Sequence, residues 1–194
     1  MDGSGKGTYN NLINKYLVSL GYNIIPIKEP SGFLRDEIYA SINKKRDPWI
    51  ISALFILDRK HQFNLLSKEN YGGKSILLFD RSYFSTLVYQ TAQGIPFNAL
   101  LKLHYFIPKH KLAFVFVCNP ETARDRVLAR YKATGKDIID EFEKLDFLKM
   151  EKEGYENIIK HINDCFLVDT TGDENDIPRI FEKIKKILDE EINF

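Results

Sequence analysis

Four short apolar runs, rich in β-branched and aromatic residues, recur along the chain. Each is nearly continuous rather than alternating, which is typical of strands that are buried on both faces of a parallel sheet. We therefore predict strands at residues 23–27, 75–80, 112–118 and 165–169.

Helical signals occupy the longer stretches between these runs. Pro48 follows Asp47 and Pro120 follows Asn119, and proline is favoured at the first position of a helix. Gly21 suits the position just beyond the end of the first stretch. Strands that alternate with helices in this way indicate an α/β fold with a parallel sheet. Helices are predicted at residues 6–21, 48–69, 120–132, 141–162 and 177–193.

The composition fits a single domain over residues 1–194, with 44% hydrophobic and 28% charged residues and no linker or repeat. A formal net charge of +1 provides no basic field, so nucleic acid is not expected as a partner. No apolar run approaches the roughly 18 residues of a membrane span, and no signal-peptide pattern is present. Cys118 and Cys165 lie in apolar runs and are interpreted as buried, reduced thiols. We expect a cytoplasmic protein without a disulfide framework or a zinc site.

A glycine-rich sequence opens the chain, with Asp2, Gly3, Ser4, Gly5, Lys6, Gly7 and Thr8 in succession. Glycines let successive backbone N–H groups approach a phosphate, and the helix that follows adds the positive end of its dipole. Lys6 is then expected to contact the β- and γ-phosphates of ATP, and Thr8 to face Mg²⁺ directly or through water. The alternative is a flexible glycine-rich terminus.

This sequence is shorter than the full phosphate-binding loop, or P-loop, whose pattern is G-x-x-x-x-G-K-[ST]. The first glycine of the pattern falls before Met1, and Gly7 stands where Ser or Thr is usual, an order that resembles adenylate kinases. A P-loop connects a strand to a helix, and buried strands left without that neighbour would have unpaired backbone groups. We therefore expect the natural protein to begin about ten residues upstream of Met1.

Three further motifs follow in order. They are Lys28-Glu29-Pro30-Ser31-Gly32, then Leu54-Phe55-Ile56-Leu57-Asp58-Arg59-Lys60-His61, then the stretch from Asp80-Arg81-Ser82 to Tyr89-Gln90. With the glycine-rich start, they resemble the thymidylate kinase patterns D-G-x-G-K, R-E-P-G-G, L-F-x-A-D-R-x-x-H and D-R-Y-x-x-S-x-x-A-Y-Q. The resemblance implies a P-loop kinase with three α/β/α layers and five parallel strands, the first and central one absent or truncated here. It also implies transfer of the γ-phosphoryl of ATP to dTMP, giving dTDP and ADP for dTTP synthesis, and a homodimer.

Asp80 and Arg81 follow directly from a predicted strand, at the sheet edge where α/β proteins bind ligands. The planar guanidinium of an arginine suits a phosphate. By resemblance, Arg81 bridges the donor and acceptor phosphates, and Asp80 adjusts the magnesium shell. A surface ion pair at the strand end is the alternative. We expect this pair and the glycine-rich amides to face each other across one nucleotide-sized gap.

The acceptor site follows from the resemblance as well. Phe55 and Arg59 are one helical turn apart and share a face. By resemblance, Phe55 stacks on thymine, Arg59 binds the acceptor phosphate or the base, and Tyr89 crowds the 2′ position of the sugar. Taken alone, Phe55 is more typical of a core residue, and Tyr89 equally suits an ordinary interior position. The other residues assigned to dTMP are Asp2, Glu29, Arg35, Arg81, Thr86 and Gln90.

A cationic segment is the candidate lid, placed at residues 124–141. Closing such a segment over phosphates neutralises developing charge and expels water, whereas the alternative is a solvated helix face. The resemblance places a catalytic arginine either in the P-loop or in the lid. Because Ser4 and no arginine stands in the P-loop, Arg126 and Arg130 are the catalytic candidates. The cationic residues are Arg124, Arg126, Arg130, Lys132 and Lys136.

Other functions remain open at this point. Ser82 stands where thymidylate kinases usually carry Tyr or His, and Asp-Arg-Ser resembles deoxynucleoside kinases, in which Glu29 would act as the carboxylate base. Arginines at positions 59 and 81 favour a monophosphate acceptor instead. A kinase of the same fold that acts on another nucleoside monophosphate is therefore a further alternative. A nucleotide-binding protein without catalysis is the remaining alternative, if the chain is natively as short as its sequence.

Overall fold

The computed structural model describes residues 1–134 and 144–192 of the chain. The chain divides into two compact units. The terminal unit comprises Met1–Tyr16 and His110–Phe194, and the central unit comprises Leu17–Lys109.

The described helices and strands alternate along most of the chain. In order they are α1 (Lys6–Ser19), β1 (Asn23–Lys28), α2 (Arg35–Asn43), α3 (Pro48–Leu66), β2 (Ser75–Asp80), α4 (Tyr83–Ala92), α5 (Phe97–Leu103), β3 (Ala113–Val117), α6 (Pro120–Thr134), α7 (Leu145–Ile158), β4 (Cys165–Asp169) and α8 (Ile177–Glu191). A short 3-10 helix at Glu174–Asp176 leads into α8.

All four predicted strands are present, each within one residue of its predicted bounds. The five predicted helices are also present, with ends that differ by a few residues where these ends are described. Asp47 accepts a hydrogen bond from the backbone N–H of Trp49 at 2.8 Å, which confirms the predicted start of α3 with Pro48 at its first position. Gly21 has a φ of +87°, as expected just beyond a helix end.

The hydrophobic pattern does not predict α2, α4 or α5. Helix α5 has only seven residues, too few for a helical period to emerge. Helix α4 is buried on most sides, at Phe84, Thr86, Leu87, Val88 and Gln90, so its sequence lacks the polar face of an amphipathic helix.

The described strands pair in parallel, as predicted, and form two two-stranded sheets. In the central unit β1 pairs with β2, from Asn23 opposite Ser75 to Lys28 opposite Asp80. In the terminal unit β3 pairs with β4, from Ala113 opposite Cys165 to Val117 opposite Asp169. The five-stranded sheet stays a prediction.

Each unit has its own apolar core. In the terminal unit α8 buries Ile180, Ile184 and Leu188, which recur every four residues and form one stripe of the helix. Full burial of one such side chain contributes about 1.5–3 kcal/mol relative to leaving it exposed. The central unit buries Ile27, Ile38, Ile51, Phe84, Leu87, Ile95 and Leu100.

The thiols match the interpretation of Cys118 and Cys165 as reduced residues, since both are unpaired in the structure. Cys118 is fully buried, and Cys165 is half-buried. Burial raises the pKa of Cys118 and raises that of Cys165 to about 11, so neither thiol is activated as a nucleophile. Within the two described ranges, no helix combines the length and apolar character of a membrane span.

Candidate active site

The glycine-rich residues of the terminal unit form a packed loop that leads into α1. Gly3 and Gly5 have φ values of +71° and +73°, in the left-handed region that favours glycine. A Cβ atom on Gly3 would lie 2.3 Å from the carbonyl oxygen of Ala123 on α6, so a side chain there is excluded sterically as well. Ser4 is fully buried, and its hydroxyl donates to the carbonyl of Met1 at 2.8 Å. The segment therefore differs from the flexible terminus considered as the alternative.

Lys6 lies at the first position of α1, next to this loop. Its ammonium donates to the carbonyl oxygen of Met1 and lies 3.4 Å from Oδ1 of Asp2. The side chains of Lys6 and Asp2 keep 23% and 21% of their surface exposed, so the ion pair is accessible to an anionic ligand. Gly7 and Thr8 are exposed in the first turn of the helix. The loop therefore offers backbone N–H groups, an ammonium and a hydroxyl at one helix N-terminus.

Arg126, on α6, connects this loop to the segment after β4. Its Nη1 donates to the carbonyl oxygen of Gly3 at 3.4 Å, and its Nη2 donates to the carbonyls of Thr170, at 2.9 Å, and Gly172. Thr170 is buried, with its hydroxyl 2.8 Å from the carbonyl oxygen of Ser4. Arg126 is thus a structural link within the terminal unit.

Arg130, one turn further along α6, is exposed, and its guanidinium lies 5.7 Å from the ring centroid of Tyr131. Of the predicted lid at 124–141, residues 135–141 fall outside the described part of the chain, and so does Lys136. Helix α6 therefore presents Arg130 to solvent while Arg126 is held by backbone carbonyls.

Glu151 is a buried carboxylate that the sequence analysis did not select. It lies on α7, where both of its oxygens accept the backbone N–H of Asp2 at 3.2 Å. The amino nitrogen of Met1 is 3.8 Å from Oε1. Its position in the sequence could have indicated its burial, because it falls on the same helix face as the buried residues Leu148, Tyr155 and Ile158. A charged residue on such a stripe indicates a buried polar partner.

In the central unit, Arg59 lies at the centre of a buried polar cluster. Only 2% of its surface is exposed, although arginine is rarely buried without partners. Its Nε donates to both carboxylate oxygens of Glu29 at 2.9 Å, and its Nη2 donates to Oε2 of Glu29 and to Oγ1 of Thr86. Glu29, Arg59 and Thr86, which come from three of the predicted motifs, are therefore in direct contact.

His104 completes this cluster, and no sequence motif pointed to it. Its Nε2 is 2.8 Å from Nη1 of Arg59, and its Nδ1 is 2.7 Å from the carbonyl oxygen of Leu100. Burial, together with the charge of Arg59, lowers the pKa of His104 to about 4. The imidazole is therefore neutral at physiological pH.

Asp58 holds the loop that follows Glu29. The carboxylate is 1% exposed and accepts from the backbone N–H and the hydroxyl of Ser31, at 2.6 and 2.7 Å, and from the N–H of Leu34 at 3.0 Å. Arg35 starts α2 directly after this loop, and its Nη2 donates to the carbonyl of Pro30 at 2.9 Å. Adjacent residues of one motif thus have separate roles, since Asp58 organises the loop while Arg59 forms the cluster.

Arg81 follows Asp80 at the carboxyl end of β2, as predicted. Its φ of +70° lies in the left-handed region, which costs a non-glycine residue on the order of 1 kcal/mol. Its Nη1 donates to the hydroxyl of Tyr89, at 3.3 Å, so two predicted acceptor residues are brought together. Ser82 caps α4 by accepting the N–H of Phe84, a local role for the residue that departs from the family pattern.

Gln90 lies one turn beyond Thr86 on α4 and therefore shares its face. It is 3% exposed, and within the described part of the chain its Oε1 has no hydrogen-bond donor. An unpaired buried carbonyl costs about 1–3 kcal/mol, so it calls for a partner such as a water or a ligand. Phe55 on α3 is half-buried, intermediate between a core residue and an open platform.

Comparisons of the sequence with known proteins identify the same family as the motifs do. A family model described as thymidylate kinase matches residues 1–179. A probable thymidylate kinase of Sulfolobus acidocaldarius is 32% identical over 97% of this chain and 92% of its own length. The thymidylate kinases of Desulfotalea psychrophila and Mesoplasma florum are each 30% identical, over 96% and 99% of this chain and 92% and 93% of their own lengths.

Proposed function

Because this chain belongs to the thymidylate kinase family, with its P-loop α/β fold, we propose that it transfers the γ-phosphoryl group of ATP to dTMP, giving dTDP and ADP. The match over residues 1–179 is the observation that carries this proposal. The contacts within each unit support it independently.

The terminal unit supplies the groups proposed to bind ATP. Gly3, Gly5 and the start of α1 present backbone N–H groups, and Lys6 adds a positive charge that is accessible to solvent. Arg130 is exposed on α6, so it is the better candidate for stabilising charge on the transferring group. Arg126 then has the role of holding the loop at Gly3 in place.

Magnesium is proposed to bind together with ATP. Mg²⁺ in kinases keeps several waters and phosphate oxygens and needs only one or two protein groups. The exposed hydroxyl of Thr8 suits that requirement, and Asp80 is the second proposed contributor, through water. The described residues contain no group of three or more potential metal ligands of the kind that forms an all-protein cage. When bound, Mg²⁺ neutralises charge on the phosphates.

The central unit supplies the groups proposed to bind dTMP. A pyrimidine base such as thymine presents ring carbonyls that accept hydrogen bonds and a ring N–H that donates one. Arg59 offers the one N–H of Nη1 that no described residue accepts. Gln90 offers a buried carbonyl that has no donor among the same residues, so the two groups are complementary to the base. Arg81 is the proposed phosphate ligand, oriented by the hydroxyl of Tyr89, and Arg35 is a second candidate.

The contacts of Glu29 favour this reading over a deoxynucleoside kinase. In that alternative Glu29 must take a proton from the 5′-hydroxyl of a nucleoside. Here the carboxylate is 5% exposed and accepts two N–H groups of Arg59. Both carboxylate oxygens are therefore already engaged by the guanidinium of Arg59.

The test is a direct assay of acceptors with the purified chain. With MgATP, we expect dTMP to yield dTDP and thymidine to yield no dTMP. Replacing Lys6 by Ala should abolish the signal, whereas replacing Lys15, exposed on the same helix, should not. Phosphorylation of thymidine but not dTMP would assign the chain to deoxynucleoside kinases. ATP binding without transfer to any nucleotide would leave a binding protein.

A homodimer is also proposed. On α3, Ile50, Leu57 and Leu65 are 48%, 56% and 52% exposed and lie on one side of the helix. A row of large apolar side chains open to water is typical of an interaction surface.

A further inference from the structure

The guanidinium of Arg59 has five N–H bonds, of which four are directed at protein acceptors in the structure. Nε donates to Glu29, and the two N–H bonds of Nη2 donate to Glu29 and Thr86. One N–H bond of Nη1 donates to His104. Among the described residues, no acceptor is found for the second hydrogen of Nη1. Because the guanidinium is planar, fixing one N–H of Nη1 also fixes the direction of the other.

The imidazole of His104 can accept this hydrogen bond in only one tautomer. Its Nδ1 lies 2.7 Å from the carbonyl of Leu100, which has no hydrogen to give, so Nδ1 must carry the proton. Nε2 is then a lone-pair acceptor directed at Nη1 of Arg59, 2.8 Å away. The carbonyl at the end of α5 thereby determines which nitrogen faces the arginine.

We propose that His104 is a positioning residue for the acceptor base. Its Nε2 holds Nη1 of Arg59 so that the remaining N–H is presented to the carbonyl at position 4 of the pyrimidine. This inference rests on the proposed function, because it requires that Arg59 contacts the base. It adds a residue that lies outside the motifs of the family resemblance.

The chemistry of the base makes the proposal specific. Thymine and uracil carry a carbonyl at position 4 of the ring, where cytosine carries an amino group, whereas the 2-carbonyl is common to all three bases. A guanidinium N–H directed at position 4 pairs with the carbonyl and cannot pair with the amino group. An arginine that swings away from this direction loses that discrimination. His104 should therefore influence the choice between dTMP and dCMP, as well as the affinity for dTMP.

The burial of His104 supports this role. The ring is 4% exposed and packs near Tyr83, whose ring centroid is 5.5 Å away. The lowered pKa keeps Nε2 unprotonated, so the acceptor persists throughout the physiological range. A protonated imidazole would direct an N–H at the cation of Arg59 instead.

Two variants separate the hydrogen bond of Nδ1 to Leu100 from that of Nε2 to Arg59. In His104→Asn the amide nitrogen replaces Nδ1 and keeps the bond to Leu100, but no atom reaches Arg59. In His104→Gln the amide oxygen replaces Nε2 and keeps an acceptor for Arg59. We expect His104→Asn to raise the KM for dTMP about tenfold, the equivalent of one hydrogen bond, with the KM for ATP unchanged. The preference for dTMP over dCMP should fall by a similar factor.

His104→Gln should keep a KM for dTMP and a preference for dTMP over dCMP close to those of the wild type. The proposal is overturned if His104→Asn keeps the KM for dTMP and the dTMP preference within about twofold of the wild type, or if both variants raise the two KM values equally. A wild-type chain that does not phosphorylate dTMP would instead refute the proposed function.

A measurement on the unmodified protein keeps the proposal testable if the variants unfold. Nitrogen-15 NMR of labelled histidine reports which ring nitrogen carries the proton. We expect the Nδ1–H tautomer for His104 at neutral pH, and a change in the Nε2 resonance when dTMP binds. An Nε2–H tautomer would contradict the proposal, since Nε2 could not then accept from Arg59.

Discussion

The carboxylate of Glu151 on α7 has both oxygens 3.2 Å from the backbone nitrogen of Asp2, 149 residues earlier in the chain. Glu151 is 1% exposed, so this contact lies in the interior of the terminal unit. It anchors the residue immediately before Gly3, where the backbone makes its close approach to α6. A helix that follows the candidate lid thus holds the start of the phosphate loop.

We predict that Glu151→Leu lowers the free energy of unfolding by about 1–3 kcal/mol, because it removes the carboxylate that accepts the part-buried backbone N–H of Asp2. The KM for ATP should rise, since the loop at Asp2 loses its anchor, while the KM for dTMP changes less. Urea unfolding and initial-rate kinetics measure these quantities. Glu153→Gln, exposed on the same helix, is the control and should change neither. An unaltered KM for ATP in a folded Glu151→Leu protein would contradict the anchoring role.

Arg81 provides a second prediction, because a non-glycine residue with a φ of +70° is kept in the left-handed region only where the structure demands it. Replacing Arg81 by Ala should lower kcat by about two to three orders of magnitude, the usual cost of removing a group that stabilises transition-state charge. The melting temperature should change little, since the side chain is half-buried.

Arg46→Ala is the matched control for charge. Arg46 forms an exposed ion pair with Glu37 at 2.7 Å, and such pairs contribute little to stability. That variant should keep the wild-type kcat. Near-wild-type turnover in Arg81→Ala would remove the role proposed for Arg81.

Much of the fold could be predicted from the sequence because the four strands are continuous apolar runs. The apolar runs at 75–80 and 165–169 coincide with the bounds of β2 and β4. Helix α4 could not be predicted in this way. It is buried around most of its surface, so its sequence lacks the exposed polar face by which an amphipathic helix is recognised. The glycine-rich loop and the strand-end residues Asp80 and Arg81 carried local signals that sequence can reveal.

The polar contacts behind these motifs could not be predicted in the same way. Glu151 with Asp2, and His104 with Arg59, join residues 149 and 45 positions apart, and no local pattern specifies such a pairing. Arg126 has the sequence context of a surface residue, yet three backbone carbonyls accept from it. These contacts depend on how the elements pack, which a motif does not record.

Exposed apolar residues on α3 lead to a third prediction, about oligomeric state. If Ile50, Leu57 and Leu65 form the proposed dimer surface, a charge at Leu57 should dissociate the dimer, because a carboxylate would be buried without a partner. Sedimentation equilibrium should show a dimer for the wild type and a monomer for Leu57→Glu. Val18→Glu is the control, since Val18 is 53% exposed on α1. A monomeric wild type at micromolar concentration would refute the proposed dimer.

Acid stability gives the fourth prediction, through His104. The unfolded chain binds a proton at this residue near pH 6.5, whereas the folded protein binds it only near pH 4. Between these values the unfolded state holds more protons, so the free energy of unfolding falls as the pH is lowered. The difference corresponds to about 3 kcal/mol, which is fully lost below pH 4. The charges facing the ring are those of Arg59 and, beyond it, Glu29, and the phenol of Tyr83 packs against it.

Comparing the wild type with His104→Gln isolates this contribution from the carboxylates that titrate in the same range. The glutamine variant has no proton to gain, so its free energy of unfolding should fall less steeply between pH 6.5 and pH 4. Urea unfolding at several pH values measures both slopes, and NMR titration of the folded wild type gives the pKa directly. Parallel slopes for the two proteins would mean that His104 titrates alike in the folded and unfolded states. In that case Arg59 and burial would not hold the imidazole neutral.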